Sequence, residues 1–183
     1  MKQPKQAPAR HAQRGLSLVE SLISMAVLVV TVGSAAPGFK QVLERRHLDG
    51  VSAQLATDLR LARSLAVAHR ASVRLSVHVT GALSCYVVHT GAAKDCACTG
   101  DNTAVCTGDA QALRTVSFGP EHDVRISSSS ASMLFDPDRG TVTPTGTLRL
   151  HARDGSAIHQ VVNIMGRVRT CSPSGKVSGH PVC

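Results

Sequence analysis

Aromatic side chains are almost missing from this 183-residue chain, which has three Phe, one Tyr and no Trp. Its core therefore has to come from Val, Leu, Ile and Ala. That no ring is interleaved among its basic residues argues against a platform that stacks single-stranded bases. The sequence also lacks a paired CxxC pattern of the kind that holds structural zinc. Gly91-Ala92-Ala93-Lys94 lacks the spacing of a phosphate loop. The serines of residues 127–130 have no recognisable base beside them. No catalytic triad, carboxylate pair, metal site or cofactor site is therefore expected, and an enzyme is not anticipated. Two further absences are positional: residues 1–15 carry no acid, and residues 21–38 carry no charge of either sign.

That uncharged run, Ser-Leu-Ile-Ser-Met-Ala-Val-Leu-Val-Val-Thr-Val-Gly-Ser-Ala-Ala-Pro-Gly, is the dominant signal of the chain. About 20 apolar residues at 1.5 Å rise cross a hydrocarbon layer of about 30 Å. Glu20 stands near its start, where a charge costs about 2.5–3.5 kcal/mol on insertion scales, so the carboxylate reads as functional. Ahead of it, Lys2, Lys5, Arg10 and Arg14 make a basic leader that ends in Arg14-Gly15-Leu16-Ser17-Leu18-Val19-Glu20. A secretory signal is cut after its apolar core. Here the expected scissile point is Gly15, before the core, which leaves the hydrophobic helix on the mature chain. This arrangement resembles the class III signal of type IV pilins and pseudopilins. The resemblance implies cleavage by a prepilin peptidase after Gly15 and methylation of the new amino terminus at Leu16. Glu20 is then the fifth mature residue, and Pro37 falls where the family has its helix-kinking proline. Leu16 replaces the usual Phe or Met, and a 15-residue leader is longer than most.

Charge is unevenly distributed. The formal +8 (20 Lys+Arg against 12 Asp+Glu) falls to +4 when the four leader cations are removed. Residues 16–148 are balanced, so the excess lies in Arg149, Arg153, Arg167, Arg169 and Lys176 against Asp154. A basic end on a neutral body points to a polyanionic partner or to a solvated tail.

The six cysteines, Cys85, Cys96, Cys98, Cys106, Cys171 and Cys183, all follow residue 84. With an export segment they imply an oxidising compartment and up to three disulfides, among about 15 pairings. Cys171–Cys183 is the favoured single pair, because the segment between them is turn-rich. Zinc held by Cys96, Cys98, Cys106 and some of the nine histidines is the competing reading.

The period of the hydrophobic pattern divides the rest. Leu48, Val51, Leu55, Leu59, Ala62 and Ala66 recur at steps of three and four, one face of a helix. Residues 16–69 thus form one helix of about 80 Å, apolar all round in its first half and on one side in its second. Pro37 is positioned to bend or loosen it. After His69 the period becomes two. Strands are expected at residues 72–79, 85–89, 113–118, 124–127, 147–151, 157–164 and 168–171, and another leads into the turn at Asp136-Pro137-Asp138-Arg139-Gly140. Asp154-Gly155 marks a hairpin. Residues 90–112 read as a long surface loop fastened by disulfides. The fold class is α+β, a long N-terminal helix packed on a mostly antiparallel sheet. The expected divisions are a leader at 1–15, a transmembrane and assembly helix at 16–39, its amphipathic half at 40–69, and a β-rich head with a basic tail at 70–183.

Three further pieces resemble the GspH/FimT branch of minor pilins and pseudopilins. They are Asp58-Leu59-Arg60-Leu61-Ala62-Arg63-Ser64-Leu65-Ala66, Leu134-Phe135-Asp136-Pro137-Asp138-Arg139-Gly140, and Val161-Val162-Asn163-Ile164-Met165-Gly166-Arg167-Val168-Arg169. In FimT-like members a carboxy-terminal Gly-Arg-x-Arg motif is associated with binding extracellular DNA, here Gly166, Arg167 and Arg169. Residues two apart in a strand share a face, so both guanidiniums can meet phosphates bidentately, with Gly166 allowing close approach. Arg149, Arg153 and Lys176 are expected to join the patch.

Three functions remain open: a DNA-binding minor pilin serving uptake, a structural minor pilin that primes or caps a fibre, and a type II secretion pseudopilin. The resemblance implies other pilins, a prepilin peptidase, the inner membrane and double-stranded DNA as partners. It implies a single-pass inner-membrane location with a periplasmic head, then the surface pilus. Glu20 is expected to pair with the freed amine of Leu16 in a neighbouring subunit.

Overall fold

The computed structural model describes residues 17–183, without the side chains of 34–37. The expected cleavage and methylation positions, Gly15 and Leu16, lie outside the described residues. The chain divides into two units, one ending at Lys40 and one running Gln41–Cys183.

Helix α1 spans Leu18–His69. Its start is capped by Ser17, whose Oγ accepts the Glu20 amide at 3.2 Å and whose carbonyl accepts the Ser21 amide at 3.2 Å. Ser17 thus satisfies donors that the first helical turn leaves unpaired. The helix stops where Arg70 turns left-handed (φ 49°) and the Ala71 amide reaches back to the Ala66 carbonyl at 3.2 Å. Within the first unit Leu18, Ile23, Val27 and Leu28 are all exposed, on every side of the helix. Among the described residues, α1 is long and apolar enough to cross a membrane.

The second unit contains eleven strands: β1 (Val73–Thr80), β2 (Leu83–His89), β3 (Cys96–Gly100), β4 (Thr103–Cys106), β5 (Ala112–Phe118), β6 (Val124–Ser128), β7 (Ser132–Phe135), β8 (Val142–Thr143), β9 (Gly146–Ala152), β10 (Ala157–Val162) and β11 (Val168–Cys171). One sheet has the order β5-β2-β1-β7-β8, a second β11-β10-β9-β6, and β3-β4 is a separate ribbon. All named pairs are antiparallel. The expected loop at residues 90–112 is in part this ribbon. It escaped the hydrophobic pattern because its alternate residues are Cys, Thr and Ala; disulfides hold it where apolar burial does not. Cys96–Cys106 joins its two strands and Cys85–Cys98 ties it to β2. Cys171–Cys183 closes the tail. All six cysteines are bonded, which leaves no thiolate for zinc.

The helical face named from the sequence is the one buried. Leu48, Leu55, Leu59, Ala62 and Ala66 are fully buried, and Val51 is partly so. They share a core with Leu75, Tyr86, Met133 and Phe135 of the first sheet and with Leu148, Leu150, Ile158 and Val162 of the second. Each large side chain so buried contributes about 1.5–3 kcal/mol. Two buried polar links fix the helix against the sheets. The Tyr86 hydroxyl donates to Asp58 Oδ2 at 2.6 Å, and Gln160 Nε2 donates to the Ser52 carbonyl and hydroxyl at 3.0 and 2.8 Å.

Candidate nucleic-acid interface

The second sheet carries the basic surface. Its inner face holds Val124, Ile126, Leu148, Leu150, Ile158 and Val162, so alternation turns the intervening residues outward. Register places Arg125 opposite His151, Ser127 opposite Arg149, Arg149 opposite His159, and Val161 opposite Arg169. Arg125, Arg149 and Arg169 therefore follow a diagonal across the four strands, with His151 and His159 inside it. No Asp or Glu occurs in any of these strands. From Arg125 to Arg169 the diagonal covers three strand spacings and two pleats, about 20 Å.

The two imidazoles meet edge to face, with centroids 6.3 Å apart. Partial burial, then the charges of Arg149 and His151, hold the His159 pKa below its ordinary value. Cys183 Sγ lies 3.7 Å from His159 Nδ1, so the tail disulfide borders the same face.

The six residues expected at this site separate into distinct settings. Arg149 and Arg169 share the outer face. Arg167 is exposed but precedes β11, at the end of the β10–β11 hairpin, where it borders a notch with Arg60 and Arg63 of α1. Gly166 is buried and closes that hairpin. Its φ is 69°, its amide bonds the Asn163 carbonyl at 2.9 Å, and the Asn163 amide bonds the Arg167 carbonyl at 3.1 Å. This is a three-residue loop ending in a left-handed glycine. A Cβ on Gly166 would stand 2.9 Å from Arg63 Cδ and from the Gly140 carbonyl. The close approach that glycine permits here is to α1 and the Asp136–Gly140 turn.

Arg153 is already engaged: its Nε lies 3.2 Å from Asp123 Oδ1, and Nη2 donates to the Pro120 carbonyl at 2.8 Å. Lys176 lies in the tail, near enough to Asp154 to lower that carboxyl's pKa. Burial acts to raise the Asp154 pKa, but the Ser156 amide and hydroxyl, with Arg45 and Lys176, outweigh it. Sequence reasoning missed Arg125, His151 and His159. The signal was present, since alternation within residues 124–128, 147–151 and 157–161 turns all three outward. Arg60 and Arg63 lay inside a motif whose arginines were not considered as ligands.

A long N-terminal helix whose second half is buried against a two-sheet antiparallel head, bridged by disulfides, is the architecture of the pilin class. The chain belongs to the family described as type II transport protein GspH, whose family model matches residues 52–166. It is a minor pilin or pseudopilin of the GspH/FimT type. Its fold is similar to that of the type IV minor pilin FimU of Pseudomonas aeruginosa. The likeness covers 75% of this chain and 96% of that one, at 18% identity and a TM-score of 0.50. No curated protein matches the chain in sequence.

Proposed function

We propose that this subunit enters a type IV pilus and binds double-stranded DNA without sequence preference during uptake for natural transformation. The outer face of the four-stranded sheet makes the contact. The observation that carries the reading is the diagonal Arg125–Arg149–Arg169, with His151 and His159 inside it and no Asp or Glu within the four strands. Guanidinium forks on a pleated surface match phosphates bidentately and carry no base code, so the binding is electrostatic and falls with salt.

The membrane half of the reading rests on the sequence. A prepilin peptidase cuts after Gly15 and methylates Leu16. The apolar first half of α1 then holds the protein in the inner membrane with its head in the periplasm, until it joins other pilins. The exposed apolar surface of that segment needs lipid or neighbouring helices to cover it.

The test is a gel-shift titration with a fragment starting at Gln41. Every residue of the core cluster lies between Leu48 and Val177, so the fragment keeps its whole core. Retardation of duplex DNA is expected with a Kd of about 10⁻⁴–10⁻⁶ M, lost as salt rises. Combined Arg149→Gln and Arg169→Gln should weaken it. Absence of retardation at low salt rejects the activity, and an unchanged double variant rejects the face. The second reading is a type II secretion pseudopilin, favoured by the description of the matching family. Its mark would be loss of secretion, with transformation intact, when the subunit is deleted.

A further inference from the structure

Beyond the sheet face, α1 passes the end of the β10–β11 hairpin and leaves an open notch lined by Arg60, Arg63, Ser64, Met165, Gly166 and Arg167. Arg60 and Arg63 are three apart on the helix and so are surface neighbours. The Arg63 stem lies along the Gly166 backbone, and its Nε donates to the Gly140 carbonyl at 3.0 Å. That bond fixes the guanidinium plane and leaves the terminal nitrogens outside the contact. Among the described residues, none of these three arginines has a carboxylate within ion-pair distance. In the adjoining turn Asp136 Oδ1 accepts the amides of Asp138 and Arg139 at 3.0 and 2.8 Å, while Asp138 is exposed and makes no ion pair with the three arginines. The notch thus gathers three cations that the fold does not neutralise, and one of them is held rigidly.

We propose that this notch seats one phosphate of the DNA backbone, gripped from the helix by Arg60 and Arg63 and from the hairpin by Arg167. The proposal rests on the DNA-binding reading and extends it, because Arg167 lies two residues from Arg169 on the basic diagonal. The footprint then runs over the hairpin end onto the helix, and the arginine of the motif outside β11 has a role separate from Arg169. A neighbouring subunit's carboxylate is the competing occupant. Continuity with the basic diagonal, whose strands hold no Asp or Glu, favours the polyanion.

The experiment measures duplex affinity of the Gln41–Cys183 fragment against salt for wild type, Arg60→Gln, Arg60→Lys and the Arg149→Gln/Arg169→Gln pair. Arg60 is exposed and outside the core, so its variants keep the fold, which the thermal midpoint checks. Arg60→Gln is expected to lower affinity severalfold and to reduce the slope of log K against log salt by about 0.9, one phosphate contact. Arg60→Lys should keep the slope. If Arg60→Gln matches wild type while the double variant is weakened, the notch proposal is overturned and the sheet-face reading stands. An affinity loss without a change of slope also overturns it. If wild type binds no duplex, both fall; exclusion of full-length Arg60→Gln from pili would then give the notch to a subunit carboxylate.

Discussion

The Cδ of Arg63 lies 2.9 Å from the point where a Cβ on Gly166 would stand, so helix and hairpin meet there with no room for a methyl group. The Gly140 carbonyl is equally near and accepts the Arg63 Nε–H. One contact therefore joins the three short sequence pieces that resembled the family: the end of α1, the Asp136–Gly140 turn and the Gly166–Arg169 segment.

Gly166→Ala should destabilise the Gln41–Cys183 fragment by about 1–3 kcal/mol, the usual scale for a non-glycine residue held in strained backbone. The crowding against Arg63 adds to that cost. Urea denaturation reads it as a lower midpoint at unchanged slope. A variant as stable as wild type would show that the hairpin end relaxes away from the helix.

The helix was legible because its signals were strong: an uncharged run, then a stripe with helical spacing from Leu48 to Ala66. Most strands followed from alternation, and the Gly155 hairpin from its turn residues. The β3–β4 ribbon was not legible, since its strands hold no apolar alternation and depend on Cys96–Cys106 and Cys85–Cys98. The basic surface was half legible. Counting charge along the chain found Arg149 and Arg169 but credited Arg153, whose partner Asp123 comes from the loop before β6. It overlooked Arg125, because that residue joins the face only through pairing of β6 with β9, a register that charge counting does not contain.

Arg153 provides a control for that argument. Its ion pair with Asp123 is largely exposed and so contributes no more than about 1 kcal/mol to stability. Arg153→Gln should leave duplex affinity and salt slope near wild type, whereas Arg125→Gln should reduce both. If Arg153→Gln weakens binding as much as Arg125→Gln, the contact surface lies at the β9–β10 turn and not along the diagonal.

Gln160 makes the buried connection between helix and basic sheet. Its amide donates to Ser52, and its Oε1 accepts the Thr170 hydroxyl at 2.8 Å. Gln160→Leu strips these partners and should cost about 1–3 kcal/mol, the penalty for buried polar groups left unpaired. The head should retain its DNA affinity under conditions where it remains folded. A midpoint in urea equal to wild type would mean that water replaces the missing amide.

Histidine 89 sets a pH dependence of stability. It is fully buried, its Nε2 faces the Ser76 hydroxyl at 2.8 Å, and its Nδ1 faces the Thr90 carbonyl at 2.8 Å. Arg74, His78 and Asp95 are the charged or titratable groups near it, and burial leads the causes that lower its pKa. The unfolded imidazole then takes up a proton below about pH 6.5 that the folded one refuses, so stability is full above that pH and falls below it. Urea midpoints of the Gln41–Cys183 fragment should drop between about pH 7 and 5, and His89→Gln should flatten that drop. An equal drop in the variant would assign the dependence to other groups.

Glu20 concerns the other unit. Its amide is held by Ser17, but its carboxylate has no ion-pair partner among the described residues. A carboxylate at the head of an apolar helix is costly unless a cation meets it, and cleavage after Gly15 would supply one as the methylated amine of Leu16 in an adjoining subunit. Glu20→Ala removes the charge and its insertion cost together, so membrane targeting should persist while incorporation into pili falls. Fractionation followed by immunoblotting of sheared pili separates the two steps. Wild-type incorporation of Glu20→Ala would show that packing of the apolar helix alone drives assembly.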